Sequence, residues 1–165
     1  MGRIDVENLF SYLNQMTALK TQINHYQQKP GHKNSVFLLE KSGTDYYLMP
    51  CPLFDNTNIT IPNLCHGIFY YAILVDYPHQ VMVGTPCTNT FIDSTKTIEG
   101  HSSISLYRDV LYAGELEFFE NKLIGWNNQS GHYRPPPEMR HTQLTPNVKR
   151  LLPEESFTDL MLIFF

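Results

Sequence analysis

Val110-Leu-Tyr-Ala-Gly-Glu-Leu-Glu-Phe-Phe-Glu-Asn-Lys-Leu-Ile-Gly-Trp126 is the stretch that decides the fold. Tyr112, Leu116 and Phe118 alternate with Ala113, Glu115 and Glu117, the period of two that marks a half-buried strand. Glu120-Asn121 reads as a turn, and Lys122 to Trp126 as the returning strand. Alternate side chains of a strand share a face. Glu115 and Glu117 therefore point one way with Ala113, and Tyr112, Leu116 and Phe118 point the other. A hairpin folded at Glu120-Asn121 sets Trp126 opposite Glu115, within a residue or two of register. The chain then leaves the sheet, because Pro135, Pro136 and Pro137 cannot serve an inner ladder.

Outward from this hairpin, Val36–Lys41 and Tyr46–Met49 flank Ser42-Gly43-Thr44-Asp45 as a second hairpin. Gly67–Val75 is a continuous apolar run that reads as a buried strand, paired with Gln80–Val83 across Asp76-Tyr77-Pro78-His79. Strands are expected near 36–40, 46–49, 67–75, 80–84, 110–118 and 122–126. Val6, Leu9, Phe10, Leu13, Met16, Leu19, Ile23 and Tyr26 recur at helical spacing, which predicts a helix from Asp5 to Gln28 that ends at Pro30-Gly31. Leu144, Val148, Leu151 and Leu152 predict a short helix in the tail. The fold class expected is α+β over 1–165 as a single domain. It comprises an N-terminal helix (1–30) packed on an antiparallel, hairpin-rich sheet (35–133) and a C-terminal helical tail (138–165).

A chain of 165 residues, 42% of them hydrophobic, can bury one core, and its ten Tyr and ten Phe favour a β-rich one. The formal charge of -4 argues against a general nucleic-acid binder, which needs a basic face. The three cysteines fit a reducing compartment better than a disulfide framework. No apolar run approaches membrane-spanning length, and the N-terminus lacks a signal peptide's apolar core. These features predict a protein that does not enter membranes. It would be cytoplasmic, or secreted by a dedicated system without a Sec signal.

The candidate site gathers in Gly100–Pro137, where polar residues stand at turns and strand ends. Glu115, His101 and His132 are the candidate catalytic residues: a strand carboxylate and two imidazoles suited to proton transfer. Ser102, Ser103, Ser130, Tyr133 and Arg134 are the candidate substrate-binding residues, with the Arg134 guanidinium able to hold an anionic group. Several have a plain structural alternative, Arg134 as a surface salt bridge among them. Glu117 and Glu115 fit a solvated strand face, the histidines fit satisfied turns, and Gly114 fits a bulge. Asn127, Asn128 and Ser130 fit an Asx-type turn presenting Gly131 and His132. A thiol-dependent hydrolase built on Cys65 with His101 is a further alternative, set against a buried inert thiol at the start of a strand. Cys51, Cys65 and Cys87 carry no C-x-x-C unit, and no metal is expected. P-loop, GxGxxG, GxSxG and HExxH motifs do not occur in the sequence.

The elements His101-Ser102-Ser103, Ala113-Gly114-Glu115 and Trp126-Asn127-Asn128 through Ser130-Gly131-His132-Tyr133-Arg134-Pro135 together resemble a pattern of poorly characterised bacterial proteins. Some of these look like C-terminal modules of polymorphic or secreted toxins. The resemblance extends from His101 to the end of the chain, and its most specific part is Ser130–Pro135. It implies a shared site and a bacterial origin. Together with the site residues, the expectation is a bacterial effector- or toxin-type enzyme acting on a protein or small-molecule target through an acid–base or transferase site on the C-terminal sheet. One version is an ADP-ribosyltransferase-like reaction, in which His, hydroxyl residues and a strand Glu grip NAD. The reading from another class is a non-catalytic protein- or ligand-binding module.

Overall fold

The fold is organised by one antiparallel sheet in which strands distant in sequence become neighbours. In the computed structural model the described residues are 16–20, 35–54, 65–86, 97–98, 100–130 and 133–158. The strands are β1 (Val36–Ser42), β2 (Asp45–Pro50), β3 (Gly67–Leu74), β4 (Met82–Pro86), β5 (Thr97–Ile98), β6 (Val110–Phe119) and β7 (Lys122–Trp126). Their order is β2-β1-β4-β3-β6-β7, with β5 added in parallel to β4. The six expected strands all form, within about two residues at each end. β5 is too short to carry a period, and the sequence did not announce it.

The hairpins hold by local rules. Phe119 faces Lys122, which leaves Glu120-Asn121 as a two-residue loop, and both have positive φ (46° and 69°), as the hand of the strand twist requires. Asn121 then joins elements. Its Oδ1 accepts from the Cys65 N–H, its own N–H donates to the Cys65 carbonyl, and its carbonyl accepts from the Tyr46 N–H at 2.8 Å. Lys122 also reaches Thr44 and Asp45. One end of the edge strand β2 thus meets the β6–β7 turn, and the sheet curls into a half-barrel.

Parity sorts the two faces. Phe69, Tyr71 and Ile73 of β3 join Tyr112, Leu116 and Phe118 of β6 on the inner face. There Tyr46 of β2 meets Phe118, ring centroids 5.3 Å apart, although three strands separate β2 from β6 in the sheet. The closing segment fills this hollow. Helix α2 (Pro146–Leu151) inserts Val148 and Leu151, and Trp126 packs against Tyr71, Tyr112 and Phe157 while its Nε1–H donates to the Pro153 carbonyl. The outer face buries Ala72, Leu74, Val110 and Ala113 beneath the five-residue helix α1 (His101–Ser105), which contributes Ile104, and beneath Tyr133.

The long N-terminal helix is the main correction. Residues 16–20 are not helical: Leu19 exchanges both backbone hydrogen bonds with Val110 (2.7 and 2.9 Å), forming an isolated antiparallel bridge. Thr17 is likewise tied to the Gln143 carboxamide. These tertiary bonds override the helical spacing there, so a continuous helix from Asp5 to Gln28 does not form. The rest of that stretch lies outside the described residues. Among the described residues the molecule is dominated by sheet, and the expected short C-terminal helix is α2. None of these helices is long and apolar enough to cross a membrane.

Candidate functional site

Glu115 stands near the middle of β6, on the outer face, with Tyr70 of β3 as its register partner. Gly114 before it has no alternative. A Cβ there would lie 1.9 Å from the Asn127 carbonyl oxygen, because the chain leaving β7 crosses directly over it. The Tyr71 hydroxyl donates to that same carbonyl at 2.7 Å. Gly114 therefore admits a backbone from the protein itself, where the sequence had suggested a bulge or the approach of a ligand.

That crossing brings Asn127 alongside Glu115 and fixes it at four points. The Asn127 N–H donates to the Glu115 carbonyl (3.0 Å), and the Glu115 N–H donates to Asn127 Oδ1 (2.8 Å). Oδ1 also accepts from the Gln129 N–H (3.0 Å), the Asx-type turn expected of this segment. Asn127 Nδ2 then donates to Glu115 Oε1 (3.2 Å). The orientation of the carboxamide follows from these partners, since two N–H groups can only face its oxygen. Glu115 is half-buried. Burial raises its pKa above the ordinary carboxylate value, the Asn127 hydrogen bond opposes that rise, and the Glu117 charge adds to it.

A shallow cleft of about 210 Å³ opens here, lined by Glu115, Glu117, Asn127, Ile68, Trp126 and Thr158 among others. Glu117 is exposed, as an ordinary solvated strand residue would be. Among the described residues no basic side chain lines the cleft, and its volume falls below the roughly 300–1,000 Å³ of pockets that enclose drug-sized ligands.

His101 lies on the same face as Glu115. Its ring stacks on Tyr70 (centroids 4.8 Å, planes 28° apart), and Nε2 lies 2.7 Å from the Gly114 carbonyl oxygen. A carbonyl only accepts, so Nε2 carries the proton. The side chain is 5% exposed. Tyr133, 2% exposed, is anchored deeper. Its hydroxyl donates to the Arg108 carbonyl and accepts from Ser105 Oγ, and burial pushes its pKa up to about 12. Ser130 Oγ accepts from the Tyr133 N–H, and the Ser130 carbonyl accepts from the Arg134 N–H. Arg134 is exposed, has a φ of +44° and does not line the Glu115 cleft. Ser102 and Ser103 fall on α1, with side chains outside the described set, and His132 also lies outside the described residues.

His101 stacks on Tyr70, the register partner of Glu115, while Tyr133 and Ser130 build the turn that returns the chain to α1. Asn127 and Tyr70 are the residues that the sequence reading missed as parts of the site. Gly67–Val75 is a continuous apolar run that gives Tyr70 no distinct face, and its partner strand cannot be read from spacing. Cys65 is buried and its thiol is pushed up to about 12, the opposite of what an activated nucleophile needs. Among the described residues, no three His, Cys, Asp or Glu side chains group as metal ligands. No protein-family model, curated protein or solved structure matches this chain.

Proposed function

We propose that this chain is an effector- or toxin-type enzyme in which Glu115 acts as the acid–base group in the outer-face cleft. The observation that carries the reading is the Glu115 carboxyl itself, half-buried in a cleft wall and shifted toward neutrality by burial. Perturbation in that direction suits a carboxyl that must both take and give a proton. His101 has a supporting role, because its Nε2–H is committed to a backbone carbonyl and its ring backs Tyr70. The cleft favours a small polar group, such as the end of a side chain on a protein target, over a dinucleotide.

Glu115→Gln keeps the volume and an acceptor for Asn127 while removing the titrating group. Induced expression of the wild-type chain in a bacterial host is expected to arrest growth. The variant should relieve the arrest, with activity reduced roughly 10²–10⁴-fold and an unchanged melting temperature. Arrest by both forms, or by neither, favours the second reading, a non-catalytic binding module. That reading has its own support: His101, Ser130 and Tyr133 all direct polar atoms to the scaffold.

A further inference from the structure

We infer that Asn127 is a positioning residue whose carboxamide orients the Glu115 carboxylate and favours its ionised form. The geometry is specific to a carboxamide. Oδ1 is held by two backbone N–H groups, those of Glu115 and Gln129, which leaves Nδ2 facing Oε1 of Glu115. The backbone of Asn127 cannot shift to relax this contact. It is pinned by the Glu115 carbonyl on one side and by the Tyr71 hydroxyl on the other, with Gly114 beneath it. A donor so fixed stabilises charge on its acceptor without reorganising when the charge develops.

Among the described residues, the groups facing Glu115 leave Asn127 as the partner that opposes burial. On β6 the neighbour is Glu117, a like charge that disfavours ionisation. From β3 come Ile68, in the cleft wall, and Tyr70, in register. Beyond Tyr70 lies the His101 ring from α1. Gly125 and Trp126 of β7 and Thr158 of the closing segment contribute no charge to the cleft.

That Glu115 is the reacting carboxyl rests on the function proposed above, but the role of Asn127 can be read without turnover. The measurement is the carbon-13 titration of glutamate carboxyls in the folded full chain, with the Glu115 signal assigned by its loss in Glu115→Gln. Asn127→Asp retains an oxygen for both backbone N–H groups, removes the donor and adds a negative charge beside Glu115. It should raise the Glu115 midpoint by about one pH unit or more, through the lost hydrogen bond and the added negative charge. Asn127→Ala removes the donor without adding charge and should raise it by a smaller amount. Where either variant proves too unstable to titrate, the double variant Glu115→Gln/Asn127→Asp provides the check. Its glutamine amide can donate to the new carboxylate, restoring the pair with donor and acceptor exchanged, so it should melt above Asn127→Asp alone. An unmoved Glu115 midpoint in folded variants, or no recovery in the double variant, overturns the assignment. A moved midpoint with growth arrest insensitive to Glu115→Gln upholds the positioning role and rejects the catalytic one.

Discussion

At the scale of single residues, the structure separates positions that the sequence presents as equals. Gly114 and Glu115 stand side by side, yet one is fixed by sterics and the other by electrostatics. Gly114→Ala must displace the Asn127 carbonyl, and with it the acceptor of the Tyr71 hydroxyl and the start of the turn that holds Ser130 and Tyr133. Overpacking of this kind costs about 3 kcal/mol or more where backbone is the obstacle. Urea denaturation of Gly114→Ala should show that loss, and a change below about 1 kcal/mol would mean the crossing is looser than its geometry implies. The same contrast explains what the site reading could and could not extract. An acid in an otherwise apolar strand is visible in sequence, and so is its face. The residue that governs it, Asn127, is visible only as a turn former, because its reach to Glu115 depends on which way the chain crosses after Trp126.

At the scale of elements, hairpins were legible and their neighbours were not. Period-two alternation and two-residue turns identify β1–β2 and β6–β7 from local chemistry, and the observed register sets Trp126 against Leu116, one residue from the expected Glu115. The β3–β6 and β1–β4 pairings join segments far apart in sequence, and spacing carries no information about them. The helix over the N-terminal segment fails at Leu19 for a related reason, since its apolar period matches a helix while its backbone bonds go to Val110. The β6–β7 turn offers a test at this scale. Glu120 occupies a left-handed conformation with φ +46° that a glycine adopts without strain, so Glu120→Gly should be neutral or stabilise by up to about 1 kcal/mol. Asn121→Ala should destabilise by about 1–3 kcal/mol, because it places a Cβ-bearing residue without a polar side chain at φ +69° and removes the acceptor for the Cys65 N–H. Chemical denaturation of the pair reads both signs, and a stabilising Asn121→Ala would show that the stitch between β3 and the turn carries no load.

At the scale of the whole molecule, buried tyrosine hydroxyls fasten the curled sheet to the segments that cover it. Tyr46 of β2 donates to the Leu151 carbonyl of α2, Tyr71 of β3 to the Asn127 carbonyl, and Tyr133 of the closing turn to the Arg108 carbonyl. Each phenol supplies a proton to a carbonyl that has none, so ionisation would remove the donor and set two oxygens with negative charge against each other. Burial is the main cause of their shifts: Tyr46 and Tyr133 are pushed up to about 12, and Tyr71 well above its ordinary value. Cys65, also buried, is pushed up to about 12. All four groups bind their protons more tightly folded than unfolded, so their stabilisation is fully present below about pH 9 and is lost as pH rises from there through 12. Between an unfolded value near 10 and a folded value near 12, each of Tyr46 and Tyr133 forfeits about 1 kcal/mol by pH 11. Thermal melts at pH 7, 9, 10 and 11 should therefore hold level to about pH 9 and then fall steeply. The phenolate absorbance of these buried tyrosines should appear with unfolding rather than before it. A Tyr46→Phe, Tyr133→Phe double variant should be less stable at pH 7, through two lost hydrogen bonds, yet show a shallower decline above pH 10. Parallel declines in the two proteins would place the alkaline sensitivity elsewhere and leave the tyrosines as packing alone.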